Sequence, residues 1–332
     1  MNVVGLPSIS IVIPTWNGCS LLERFLPSVV GAGEVYTRET GAELEILVVD
    51  DGSADHTMEW LAGNSIPRVR AIRQEINRGF AAACNAGFQH AKCPLIFLLN
   101  NDVQVERDVL LHLAPHFRDP AVFAVTCKAF LPGTRQLVSG GKIGRFSGGF
   151  WRVHNNYDVS ETSGRTWYSI LAGGGFSAFD REKLLKLGGF DELLSPFYWE
   201  DVELSLRAWR RGWRILYEPK AIVYHQASRT IEPSFEREHV KISDQRNRLL
   251  THWIHLEETT WMVEHIAAVV LLVIASFVTF NFAFCRALRL ALKELPQVKA
   301  RRQREQSEAQ TRSRQIVEFF DSFARSLGSL RE

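Results

Sequence analysis

Short apolar runs alternate with stretches of helical period through the first half of the chain. Residues 8–13 are β-rich and stop at Pro14, and residues 45–49 and 95–99 read as strands buried on both faces. Residues 69–72 and 122–126 are weaker strand candidates. Leu21, Leu22, Phe25, Leu26 and Val29 recur at helical spacing, and a helix capped by Ser53 or Asp55 is expected after the second strand. Residues 81–91 form an Ala-rich helix and residues 106–117 an amphipathic one. This alternation predicts βαβ units and an α/β fold with a mostly parallel sheet.

From 130 to 167 glycines and aromatics abound without helical period, which predicts hairpins and loops. Helices are expected over 181–187 and from about Glu200, where Leu204, Leu206 and Trp209 face inward and Glu203 and Arg207 are spaced for an i,i+4 pair. Residues 213–216 and 221–224 read as two short strands split by Glu218-Pro219-Lys220, with His225 at the end of the second. Residues 235–255 read as a helix containing Arg246-Asn247-Arg248.

The apolar runs end on polar residues. Asp50-Asp51-Gly52-Ser53 follows the second strand, and Asn100-Asn101-Asp102 follows the strand over 95–99. On an extended chain Asn100 and Asp102 point the same way with Asn101 turned aside, an arrangement that suits either a tight turn or a hard divalent cation shared with phosphates. Gly173-Gly174-Gly175 permits close backbone approach, by a ligand or in a bulge. Tyr198-Trp199-Glu200-Asp201 places aromatic rings beside two carboxylates. Such acids complement a helix dipole, and they also suit a sugar site, where rings cover apolar C–H faces and a carboxylate takes a hydroxyl proton. No G-x-G-x-x-G follows the first strand and no G-x-x-x-x-G-K-[ST] occurs, which argues against dinucleotide and P-loop enzymes.

Composition is globular, with 46% apolar and 23% charged residues; the net charge of +2 argues neither for nor against nucleic acid, and no nucleic-acid partner is expected. Five scattered cysteines without a C-x-x-C pair argue against a disulfide framework or zinc site and for a reducing compartment. No signal peptide is expected, since no basic segment with a long apolar run opens the chain.

Several motifs recur in a fixed order: Ile13-Pro14-Thr15-Trp16-Asn17, Val49-Asp50-Asp51-Gly52-Ser53, Asn77-Arg78-Gly79-Phe80 with Asn85 and Gly87, Leu99-Asn100-Asn101-Asp102, Gly174-Gly175-Phe176, Gly188-Gly189-Phe190-Asp191-Glu192, and Trp199 to Leu204 with Arg207 and Gly212. In this order they resemble the family-2 glycosyltransferases of GT-A fold, closest to the rhamnosyltransferase-like branch, over about residues 9–228. The resemblance implies a Rossmann-like sheet with helices on both faces. It implies that Pro14, Thr15, Asn17 and Asp50 hold the base and ribose of a nucleotide-sugar, with Asn77 and Arg78 near the nucleotide. Asp102 would bind Mg²⁺ or Mn²⁺ in a DxD-type motif that here begins with Asn100, next to Asn101. His225 would lie close to the metal and diphosphate with Arg229 nearby, Asp201 would be the catalytic base, and Gly174, Gly175, Trp199 and Glu200 would face the acceptor. The implied reaction is inverting transfer from a nucleotide-diphosphate sugar, dTDP-L-rhamnose first and a UDP-hexose or UDP-galactofuranose next, to a saccharide or lipid-linked saccharide in cell-surface polysaccharide synthesis. A catalytically idle binding or scaffold protein is the alternative that Asn100 leaves open, because an amide brings one charge fewer to the cation.

These readings divide the chain into a catalytic domain over 1–230 (donor half 1–128, acceptor half 129–230), a helical extension over 231–258, and an apolar helix with a basic, polar tail over 259–332. Residues 266–285 are nearly free of charge and long enough to cross a bilayer, with Arg286, Arg289, Lys293, Lys299, Arg301, Arg302 and Arg304 after them. A cytosolic donor and a cytosolic basic tail cannot both flank a single span. The expectation is therefore a helix lying in the cytoplasmic face of a bacterial inner membrane with its tail on anionic lipid; a simple span and a helix buried in a homodimer are the rivals. The tail from Gln303 is expected to be helical, then frayed.

Overall fold

The structure, a computed structural model, describes residues 5–158, 167–225 and 236–328. Its first strands are β1 (Ile9–Thr15), β2 (Leu44–Asp50), β3 (Val69–Arg73) and β4 (Leu95–Leu99), which run parallel in the order β3-β2-β1-β4. The apolar run of β4 is buried throughout: Leu95, Phe97 and Leu99 face one core and Ile96 and Leu98 the other. Helices α1 (Cys19–Thr40) and α2 (Thr57–Gly63) cover the first face, and α3 (Phe80–His90) the second.

Beyond β4 the sheet becomes mixed. The remaining strands are β5 (Val103–Val105), β6 (Val122–Phe130), β7 (Leu137–Ser139), the separate hairpin β8 (Gly141–Ser147) and β9 (Phe150–Tyr157), β10 (Phe176–Asp180) and β11 (Arg214–His225). β10 lies antiparallel between β4 and β6, β11 runs parallel to β6, and β5 closes that edge antiparallel to β11. Two expectations change here. The helix expected over 106–117 is a short α4 (Val109–Leu113) followed by a 3-10 turn at Ala114–Arg118 that holds Pro115, a residue that removes a helical hydrogen bond. The two strands expected at 213–224 are the single β11, whose register shifts between Glu218 and Ile222, so Pro219 is absorbed as an irregularity.

The second face is completed by α5 (Arg181–Leu187) and α6 (Glu200–Arg210). The chain then forms α7 (Arg237–His255), α8 (Thr259–Val278), α9 (Ala283–Lys293), α10 (Leu295–Glu308) and α11 (Ser313–Gly328). The apolar helix starts earlier than expected, at Thr259, and stops earlier because residues 279–282 break it, with Phe280 at φ 54°. One side of α8 docks on the β8–β9 hairpin. Gly149 (φ 76°) makes room: a Cβ there would sit 2.6 Å from the Glu264 carbonyl oxygen and 2.7 Å from the Ala268 Cβ. His265 is buried and hydrogen bonds the Gly149 carbonyl at 2.8 Å.

The tail is helical as far as residue 328, as expected, and packed; its end lies outside the described residues. Ile316, Phe320 and Phe323 of α11 are buried in the second core with Tyr157 and Trp209. Several tail cations are bonded to the rest of the protein: Arg301 to Asp191, and Arg302 to the Trp253 carbonyl at 2.8 Å.

Candidate active site

The donor side lies at the carboxyl ends of β1 and β2, where open α/β sheets place their ligand crevice. Thr15 and Asp50 sit opposite each other in register. Asn17 (φ 48°) ties the two loops together: its amide donates to Ser53 Oγ at 2.8 Å and its Oδ1 accepts from the Ala54 amide at 2.9 Å. Asp50 accepts from the Ser53 amide at 3.3 Å. Asp51, which the sequence reading left without a role, accepts from the Arg78 amide at 2.9 Å and the Gly79 amide at 2.8 Å. Burial pushes the Asp51 carboxyl up, against those two bonds. The Arg78–Gly79 backbone is thus held on the Asp51 carboxylate, while the Arg78 guanidinium pairs with Glu192 at 3.1 Å. Pro14 precedes Thr15 on β1 and is buried.

The cation side is built by β4 and β11. Residues 101–102 form a turn, with the Val103 amide on the Asn100 carbonyl at 3.3 Å, rather than an extended chain, and Asn101 Nδ2 donates to Thr15 Oγ1 at 2.8 Å. β11 pairs with β5 so that His225 lies opposite Val103, next to Asp102. His225 Nε2 is 3.4 Å from Asp102 Oδ1. Asn100 Oδ1 and Asp102 Oδ1 are both buried without a hydrogen-bond donor. An orphaned carboxylate oxygen beside an imidazole, with a second orphaned oxygen two residues before it, fits a hard cation of the Mg²⁺ or Mn²⁺ type. Among the described residues no three His, Cys, Asp or Glu side chains cluster for a metal, so a ligand's phosphates would complete the shell. Arg229 lies outside the described residues.

The base side opens α6. Asp201 Oδ2 accepts from the Gly174 amide at 3.3 Å and Oδ1 from the Val202 amide at 2.8 Å. Glu200 Oε2 is buried without a partner. Burial, then the charge of Asp201, pushes the Glu200 carboxyl up to about 8, and burial raises Asp201 as well. Lys142 of β8 lies within reach of the Asp201 charge, and its own ammonium is pushed down by burial. Tyr198 (φ 72°) and Trp199 (φ 74°) are strained, as side-chain-bearing residues in the left-handed region. α7 holds them there. Asn247 Nδ2 donates to the carbonyls of Leu194, Phe197 and Tyr198, the last two at 3.0 and 3.1 Å, and Trp199 Nε1 donates to Asp244 at 2.9 Å. The sequence reading had singled out Asn247 without a role; its contacts are distant in sequence.

The two sides meet at one peptide. Gly174 bonds Asp201, the Gly175 carbonyl accepts from the Asn100 amide at 2.9 Å, and the Phe176 ring lies 5.6 Å from the His225 ring. Three successive residues therefore touch the candidate base, the backbone N–H of Asn100 and the histidine of the cation side.

Residues 10–188 match the family model described as Glycosyl transferase family 2, and residues 145–324 match the model Glycosyltransferase (GlcNAc). A pre-mycofactocin glycosyltransferase of Mycobacterium tuberculosis is 28% identical over 221 residues, 65% of this chain and 42% of its own. The matched stretches span from a quarter to about half the length of the curated relatives. Among solved structures, GalNAc-T7 with UDP, GalNAc and Mn²⁺ superposes with TM-score 0.59 at 21% identity, over 76% of this chain and 49% of its own. The mannosyltransferase PcManGT of Pyrobaculum calidifontis, with GDP-Man and Mn²⁺, superposes with TM-score 0.53 at 18% identity, over 87% of both chains. The fold is that of the GT-A glycosyltransferases, and the chain belongs to glycosyl transferase family 2.

Proposed function

We propose that the chain transfers a sugar, with inversion, from a nucleotide-diphosphate donor to a hydroxyl of a saccharide or lipid-linked saccharide. The observation that carries this reading is the peptide over Gly174, Gly175 and Phe176, which joins Asp201 to the Asn100–Asp102–His225 side. Asp201 accepts the proton of the acceptor hydroxyl as the new C–O bond forms. Burial raises both Glu200 and Asp201, and the charge of Asp201 raises Glu200 further, so the two carboxyls titrate as a pair. Thr15, Asn17, Asp50 and the Asn77–Arg78 turn orient the nucleotide. Asp102 and His225, with Asn100, would hold Mg²⁺ or Mn²⁺, which when bound offsets the charge developing on the leaving diphosphate.

The motif order favours dTDP-L-rhamnose as the donor. The sugars named with the structural neighbours argue for UDP- and GDP-sugars in the same panel. α8 supports attachment to a membrane surface, at the cytoplasmic face where activated sugars are found. Its free side is apolar while its other side is committed to the hairpin, so it suits lying in one leaflet rather than crossing it.

A thermal-shift screen of dTDP-rhamnose, UDP-hexoses, UDP-galactofuranose and GDP-mannose, with and without Mn²⁺, tests the reading. One donor should raise the melting point in the presence of Mn²⁺ and do so less without it. No shift with any nucleotide-sugar would overturn it.

A further inference from the structure

A second crevice lies on the acceptor side, between α7, α8 and the start of α9. Its volume is about 200 Å³. At ~30 Å³ per water it has room for a phosphate ester. Lys241, Gln245 and Arg248 line it from one face of α7, at spacings of four and three residues.

Arg248 is the unusual member. Its guanidinium stacks 3.9 Å from the Phe150 ring centroid and 6.0 Å from that of Trp199. Its Nε is buried without an acceptor, and so is Gln245 Oε1 without a donor. Burial and the nearby Arg152 press its pKa down against the charge of Asp244, whose carboxylate is already bonded to the Trp199 indole. A half-buried guanidinium short of acceptors, next to a second cation, is short of an anion.

The other wall is α8, whose outer side is exposed and apolar: Val270 is 52% exposed, Leu271 65% and Val278 73%. Soluble surfaces rarely leave so many large apolar side chains in water. The crevice therefore places a cationic pocket at the foot of an apolar helix and beside Trp199, two residues from Asp201.

We propose that this crevice binds the phosphate of a lipid-linked acceptor, with Arg248 and Lys241 on the phosphate and the lipid chain following the outer side of α8 into the membrane. The proposal rests on the transferase reading for its placement on the acceptor side, and its test needs no transfer.

Calorimetric titration of the full chain with farnesyl phosphate, inorganic phosphate and farnesol separates the sources. Farnesyl phosphate should bind most tightly, and Arg248→Gln should weaken it about ten- to a hundredfold, the worth of one charge-assisted bond. Arg248→Lys should keep part of the affinity, and Lys241→Gln, at an exposed residue, should lose less than Arg248→Gln. Farnesol or inorganic phosphate binding as tightly, or Arg248→Gln binding farnesyl phosphate like the parent, would overturn the proposal. Nucleotide-sugar titrations of the same samples report on the transferase reading separately: failure there with Arg248-dependent farnesyl phosphate binding would sink the transferase reading and leave the site.

Discussion

Gly175→Ala is the most discriminating small change the site allows. The Gly175 backbone lies outside the left-handed region, so alanine adds no backbone strain and acts only through its methyl. That methyl would sit 2.5 Å from Asn100 Nδ2 and 2.7 Å from its Cγ. Both separations are well inside van der Waals contact, so the Asn100 amide must turn. Its Oδ1 is one of the two orphaned oxygens of the cation site. Overpacking of this kind costs about 1–3 kcal/mol, or about five- to a hundredfold if it falls on binding. At Gly174 the same methyl would meet the Asp201 Cβ at 3.4 Å, an ordinary contact. Titration of the nucleoside diphosphate with and without Mn²⁺ reads the difference. Gly175→Ala should lose affinity chiefly in the presence of the metal, and Gly174→Ala should bind like the parent. Equal affinity in the Gly175 variant, or a loss of the same size with and without Mn²⁺, would refute a role for Asn100 at the cation.

Two further predictions follow from the base side. Glu200 has a folded pKa raised from 4.5 to about 8, so its contribution to stability is full below the ordinary Glu range and is lost as pH rises through about 8. Glu200→Gln should match the parent's melting point in acid and exceed it in alkali; a difference that does not change with pH would contradict the assignment. Asn247→Ala should cost about 2–4 kcal/mol by orphaning the carbonyls of the strained loop, and should lower kcat while nucleotide affinity holds. A stable variant with normal turnover would remove Asn247 as the positioning residue of Trp199 and Asp201.

How much of this was legible depended on how far each signal reaches along the chain. β4 could be read because five apolar residues end abruptly at Asn100, and the structure buries all five with two chemical side chains directly after. The mixed half of the sheet could not, since β10 inserts between β4 and β6 through pairings distant in sequence. α11 was legible as a helix, but its burial was not read: Ile316, Phe320 and Phe323 recur at helical spacing among charges, and that period carried the packing signal. Asp201 was visible as a residue type, whereas the left-handed Tyr198 and Trp199 that aim it follow from carbonyls held by Asn247, about fifty residues away.

The central claim is that Asp201 moves the proton while other residues hold the donor, and one side-by-side measurement tests it. Nucleoside diphosphate release from the donor found in the panel, with Mn²⁺ and acceptor present, should fall about 10²- to 10⁴-fold in Asp201→Asn, while that variant's donor affinity stays that of the parent. Release at the parental rate, or loss of donor binding together with turnover, would contradict it.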